Sequence, residues 1–133
     1  MGLDVDTDLF GIFHVNWAGS RWLREWCQDE GLPDPFVGWL SGDNSGDQCV
    51  LGPDNVNTRL ARVWCRRFEE NHPAIAELGG ELIANRRMIV LRDYLYPKIG
   101  KGLGERAWER RVLAVWYAIL KNGVEHGDTL DYW

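Results

Sequence analysis

The strongest restriction on the fold of this 133-residue chain comes from residues 105–122, ERAWERRVLAVWYAILKN. Apolar residues recur there every three or four positions and predict one continuous helix face, formed by Trp108, Val112, Val115 and Ile119. Leu113, Trp116 and Leu120 lie beside that face, and Gly123 follows as a candidate helix stop. The run VLAVWYAIL is too short to cross a bilayer, so the segment predicts a helix packed within a soluble protein.

Three more segments show helical periodicity, at residues 20–30, 58–71 and 74–96. Ser20 is a candidate N-cap, and Pro73 suits the first turn of the third helix. Paired glycines at 79–80 predict an interruption or bend in that helix, and its end, RMIVLRDYLY, also fits a strand.

The N-terminal part of the chain is less regular. Residues 10–17, FGIFHVNW, fit a short strand, whereas residues 31–56 hold three prolines and five glycines and fit either a loose hairpin or a long connection. We therefore predict one domain over residues 1–133 with a mainly α fold. This fold is a compact bundle of about four helices with a short β or irregular N-terminal half, and the alternative is an α+β fold.

Composition indicates where such a chain works. Eight tryptophans predict an aromatic core, and the three cysteines are odd in number and widely spaced, unlike a disulfide framework. The N-terminus MGLDVDTDLF has neither the basic region nor the apolar run of a secretory leader. These features predict a cytoplasmic protein that does not enter a membrane.

Charge is divided along the chain, although the net charge is only −5. Residues 1–56 carry ten acidic and two basic residues, whereas residues 57–121 carry thirteen basic and seven acidic ones, and twelve of the fifteen bases are arginine. Either the two parts neutralise each other in the fold, or one surface stays positive for an anionic partner.

The pattern R-x-W-x-R-R occurs twice, at residues 62–67 and 106–111. On a helix the tryptophan lies about 200° from the first arginine, at about 100° for each residue. We therefore expect Trp64 and Trp108 to point into the core. The outward residues are then candidates for contact with a partner: Arg62, Arg66, Arg106 and Arg110.

A second helical stripe joins Cys65, Glu69 and His72. A thiol, a carboxylate and an imidazole in line suggest a metal site or a nucleophile with its base, but the stripe lies at the border of the apolar face and fits packing better. The chain has no C-x-x-C or H-x-x-x-H pair for zinc. Asp4, Asp6 and Asp8 imitate a calcium loop that lacks its turn glycine and its final glutamate. We predict no metal and no cofactor.

These patterns favour a non-catalytic binding or regulatory protein that contacts another macromolecule, either a protein partner or a second copy of itself. Phe36 and Trp39, in the Pro-rich connection, add aromatic candidates for that contact. One alternative is a small enzyme or ligand-binding protein with a pocket under residues 33–51, which would use Trp39 with Cys49 or His14. A second alternative is a nucleic-acid binder acting through the arginines.

Overall fold

The computed structural model describes residues 3–32, 47–97 and 105–132. These residues form four strands, five α-helices and one short 3-10 helix. In chain order they are β1 (Leu3–Thr7), β2 (Gly11–Val15), α1 (Trp17–Asp29), β3 (Asp47–Leu51), α2 (Val56–Asn71), α3 (Pro73–Ala84), the 3-10 helix (Arg86–Met88), α4 (Leu91–Leu95), α5 (Glu105–His126) and β4 (Asp128–Tyr132).

The prediction of a mainly α bundle is wrong, and the α+β alternative fits the structure. The four strands form one antiparallel sheet in the order β2-β1-β4-β3. β1 reads LDVDT and β4 reads DTLDY, so each strand presents only two large apolar residues among its carboxylates. The strand predicted within residues 10–17 is present as β2, but no local pattern revealed the whole sheet, because β4 pairs with β1 and β3, which are far from it in the chain.

The sheet has one buried and one open face. The buried face carries Val5, Phe13, Val15, Cys49, Leu51 and Leu130. Helices pack on this face: Phe13 stacks on Trp116 of α5 with ring centroids 6.4 Å apart, and α2 contacts β3. The alternate residues, including Asp6 and Asp131, point to the other side of the sheet.

Helix α5 is the centre of the fold. All residues from 112 to 120 are buried, because β3, β4, α2, α3 and α4 surround the helix. It continues to His126 rather than stopping at Gly123, which instead lies against β3. A Cβ atom on Gly123 would lie 2.6 Å from Leu51 Cδ1. This glycine therefore permits close packing, and the chain turns at Gly127, whose φ is 82°.

The predicted bend at Gly79-Gly80 is also wrong, since α3 runs through both residues. A Cβ atom on Gly79 would lie 2.5 Å from Tyr117 Cδ2, so this glycine lets α3 approach α5 closely. The break comes later: the 3-10 helix and the extended residues Ile89 and Val90 separate α3 from α4.

The helix starts also differ from the prediction. Asn16, rather than Ser20, caps α1 by accepting a 2.8 Å hydrogen bond from the amide of Gly19. Asn55 caps α2 in the same way, accepting from the amide of Thr58 at 2.8 Å. In both cases a side-chain oxygen satisfies a backbone N–H group that the helix leaves unpaired.

The inside–outside assignment of the tryptophans is confirmed at two positions, since Trp64 and Trp116 are each only 1% exposed. Trp108 is half-buried and packs 5.9 Å from Trp22. Within the described residues, no helix has the length and apolar character needed to cross a membrane.

Candidate binding cleft

A cleft of about 600 Å³ lies between α3, the connector of residues 85–90, α4 and the first turns of α5. Its lining combines arginines with apolar side chains and one acid. The lining residues are Leu78, Glu81, Leu82, Asn85, Ile89, Tyr94, Arg106, Ala107, Arg110 and Arg111. The cleft exists because α3 ends at Ala84 and the chain turns away before it returns to α5.

Arg106 and Arg110 bring positive charge to this cleft. They are one helical turn apart on α5 and are both exposed. Neither forms a hydrogen bond or an ion pair within the part of the chain that the structure describes. Their guanidinium groups therefore keep their donors available to a ligand with carboxylate or phosphate oxygens.

Arg111 has a structural role in the same cleft. It donates a 2.6 Å hydrogen bond from Nη1 to the backbone oxygen of Tyr94, and its Cζ lies 4.6 Å from the centroid of the Tyr94 ring. Burial raises the pKa of the Tyr94 hydroxyl above its ordinary value, although the charge of Arg111 opposes this shift. Tyr94 is therefore a neutral wall residue that Arg111 holds in place.

The rim of the cleft includes apolar side chains. Leu78, which is 38% exposed, and the exposed Ala107 lie in the lining, and the half-buried Ile89 also lines the cleft. Large apolar side chains grouped around a concave surface are typical of a contact region. This cleft thus joins two recognition elements, an arginine pair and an apolar rim.

The stripe of Cys65, Glu69 and His72 does not form a single site. Cys65 is 3% exposed within the core, whereas Glu69 accepts hydrogen bonds from Tyr117 Oη at 2.5 Å and from Lys121 Nζ at 2.9 Å. His72 turns to another neighbour, with Nε2 at 2.6 Å from Glu30 Oε1. Among the described residues, no three potential ligands are grouped so that they could hold a metal ion.

The electrostatics of this stripe disfavour nucleophilic chemistry. Burial raises the pKa of the Cys65 thiol to about 12, so the thiol stays protonated. Burial also raises the pKa of Tyr117, and the hydrogen bond to Glu69 adds to the increase. Burial alone would raise the pKa of Glu69, but the hydrogen bonds from Tyr117 and Lys121 bring it below its ordinary value. Glu69 is therefore held in an ion pair with Lys121 while it also accepts a hydrogen bond from the Tyr117 hydroxyl.

The structure separates the other residues that the sequence put forward. Arg62 and Arg66 are exposed on α2, which contributes no residue to the cleft. His14 and Cys49 do not converge, because His14 lies on the open face of the sheet and Cys49 is fully buried on the other. Phe36 and Trp39 lie outside the described residues.

Sequence reasoning missed most of the cleft. Leu78, Ile89 and Tyr94 come from segments assigned to one long predicted helix, so nothing placed them beside α5. The available clue was the repeated R-x-W-x-R-R pattern, whose second copy supplies all three lining arginines.

Comparison with known proteins gives no further guide to this cleft. The sequence has no significant match among family models, curated proteins or solved structures.

Proposed function

We propose that the protein is a binding protein whose cleft receives an acidic segment of a protein partner, with apolar side chains of that segment resting on the rim. The observation that carries this proposal is the placement of Arg106 and Arg110 in one lining with the exposed Leu78, while neither arginine forms an ion pair among the described residues. Two unpaired arginines on a concave wall favour an occupant that brings carboxylates.

The rim favours a polypeptide over a small anion. A free anion needs only the arginines and gains nothing from Leu78, Ile89 or Ala107, the apolar side chains in the same lining. A peptide with acidic and apolar residues one helical turn apart would cover both elements at once. A cleft of about 600 Å³ accommodates several side chains rather than a whole helix, so the segment would lie across the opening.

The experiment is a selection of random peptides displayed on phage against the wild-type protein, followed by affinity measurement on the enriched peptides. We expect the selected peptides to combine Asp or Glu with apolar residues. We also expect R106E/R110E to weaken them by at least tenfold, since removal of charged contacts at an interface has effects of this size.

The matched control is R62E/R66E, which makes the same charge change on α2 and should leave these affinities unchanged. Peptides without acidic residues, or peptides that bind R106E/R110E as well as the wild type, would contradict the proposal. A labelled single-stranded oligonucleotide is measured in parallel. If it binds in a way that needs Arg106 and Arg110 and the peptides do not, the nucleic-acid alternative replaces the proposal.

A further inference from the structure

The open face of the sheet carries two carboxylates side by side in its central strands. Asp6 of β1 lies directly opposite Asp131 of β4, and both point away from the helices. Directly opposed residues in an antiparallel pair have Cα atoms about 4.5–5.5 Å apart, and like charges in such a pair are destabilising. Two carboxylates in this position attract a cation from outside.

The neighbours of this pair leave it available. Asp4 is already paired, with Oδ1 at 2.6 Å from His14 Nδ1, but Asp6 has no ion pair or hydrogen-bonding side chain among the described residues. Asp131 accepts one 2.6 Å hydrogen bond from Gln48 Nε2, which leaves further lone pairs on the carboxylate. On the other side of Asp6 in the sheet, Ile12 of β2 lies opposite it and is 53% exposed. An apolar residue therefore flanks this row of acids.

The chain itself carries a surface that complements this face. On α2, Arg62 and Arg66 are exposed one turn apart with Val63, itself 40% exposed, beside them. Neither arginine has an ion-pair partner among the described residues, unlike Arg59, which pairs with Asp54 at 3.1 Å. The four-residue separation corresponds to about 6 Å along the helix, which is close to the separation of the two opposed strands.

The two surfaces cannot meet within one molecule. The residues of the sheet that contact the helices point to the buried face, as Leu51 does against Gly123 and Val15 against Gly19. The sheet itself therefore lies between Arg62 and Arg66 on one side and Asp6 and Asp131 on the other. Only a second copy can bring these arginines and these carboxylates together.

We infer that the protein self-associates head to tail, with Arg62 and Arg66 of one copy bound to Asp6 and Asp131 of the next. Two forked guanidinium–carboxylate contacts form the centre of the interface, and Val63 rests on the apolar side of the acidic row. Because the two surfaces differ, each copy offers one free end of each kind, and growth continues unless a ring closes. The cleft takes no part in this contact.

The association is expected to be weak and sensitive to salt. Ion pairs at an exposed surface contribute little each, and screening reduces them further. Light scattering after gel filtration should give the monomer mass of 15.3 kDa at low protein concentration. The apparent mass should rise as the concentration approaches about 1 mM in about 0.05 M sodium chloride, and return to that of the monomer in about 0.5 M salt.

Charge-reversed variants test the proposed contact most directly. R62E/R66E and D6K/D131K should each stay monomeric alone, whereas an equimolar mixture should associate, because every interface in the mixture again joins opposite charges. R106E/R110E is the control and should associate as the wild type does. A wild type that stays at 15.3 kDa in low salt, or a mixture that stays monomeric, overturns the inference.

If circular dichroism shows that a charge-reversed variant does not fold, variants with neutral side chains take its place in the test. D6N/D131N removes the opposed charges and should keep or raise the melting temperature while it abolishes association. R62Q/R66Q should likewise abolish association at unchanged stability. Association at the wild-type level in either folded neutral variant contradicts the proposed contact.

Discussion

The two copies of R-x-W-x-R-R have the same helical pattern but different surroundings. In residues 62–67, Trp64 is 1% exposed and stacks on Phe68 with ring centroids 4.9 Å apart. In residues 106–111, Trp108 is half-buried, and its indole Nε1 is buried without a hydrogen-bond partner among the described residues. An identical pattern thus gives a core residue in one helix and a residue at the edge of the core in the other.

The third arginine behaves alike in both copies. Arg67 donates from Nη1 to the backbone oxygen of Gly31 at 3.0 Å, and Arg111 donates from Nη1 to that of Tyr94 at 2.6 Å. Each arginine therefore binds a carbonyl near the end of another helix, α1 in one case and α4 in the other.

The first two arginines of each copy differ mainly in the shape of their surroundings. Arg62 and Arg66 lie on an exposed helix surface that no described residue encloses, whereas Arg106 and Arg110 line a cleft because α3 and the connector rise beside α5. A helical pattern determines which side of a helix faces outward. Neighbouring elements determine whether that side is an exposed convex surface or the wall of a cleft. The two pairs are therefore proposed to bind different partners.

The largest expected difference between the copies concerns the tryptophans. Trp64→Ala should lower the free energy of unfolding by about 3–5 kcal/mol, because it leaves a cavity in a closed core. Trp108→Ala should cost roughly half as much, since solvent already reaches part of the side chain. Urea denaturation of both variants measures the difference.

Phenylalanine variants sharpen this comparison of the tryptophans. Trp108→Phe should cost less than about 1 kcal/mol, because it removes an N–H group that has no partner among the described residues. Equal losses for the two alanine variants would show that the two tryptophans are equivalent despite their different exposure.

Seven positions after the first arginine, the first copy is followed by Glu69 and the second by the buried Leu113. This difference should make the stability contributed by the first segment depend on pH. Because the pKa of Glu69 is lowered in the folded protein, its carboxylate stabilises the fold above the ordinary pKa range of a glutamate. This stabilisation is lost as the pH falls through the lowered pKa. Glu69→Gln should therefore cost about 1 kcal/mol near pH 7 and progressively less below about pH 4.

The control for this experiment is Glu70→Gln, at an exposed neighbouring position without a hydrogen bond or ion pair among the described residues. Stability measured across the pH range should be the same for this variant and the wild type. A loss in Glu69→Gln that does not change with pH would indicate a packing effect rather than a charge effect.

The third arginines should differ modestly. Arg111→Ala removes a half-buried hydrogen bond and a contact with the Tyr94 ring, and we expect a loss of about 1–2 kcal/mol. Arg67→Ala removes an exposed hydrogen bond and should cost about 0.5 kcal/mol. Thermal denaturation would refute the ranking if Arg67→Ala proved the more damaging of the two.

The smallest effects are expected for the outward pairs. R62Q/R66Q and R106Q/R110Q should each change the free energy of unfolding by less than about 0.5 kcal/mol, because these side chains form no ion pair among the described residues and Arg66 acts only through the attraction of its charge to Glu69. Calorimetry of the two variants tests this directly. A loss above about 1 kcal/mol in either pair would reveal a structural role and would weaken the corresponding binding proposal.

Some elements of this fold are evident from the sequence and others are not. The helices of residues 58–71 and 105–122 were located within a few residues, because each carries an apolar face with the period of a helix. The strands β1 and β4 were not predicted. Each has only five residues, aspartates among them, and lies near one end of the chain, so in sequence each resembles an irregular acidic terminal segment. Gly79 and Gly123 were misread for a related reason: a glycine that permits close packing looks, in sequence, like one that ends a helix.

The sequence by itself determined the local properties of this protein: which residues of α2 and α5 face inward, where positive charge gathers, and that Cys65 belongs with the apolar residues. These follow from periodicity, which depends only on near neighbours in the chain. Tertiary structure alone decided that Arg106 and Arg110 line a cleft, that Glu69 meets Tyr117 and Lys121, and that Asp6 lies opposite Asp131. Each of these contacts joins segments far apart in sequence, and their approach depends on how the whole core packs around α5.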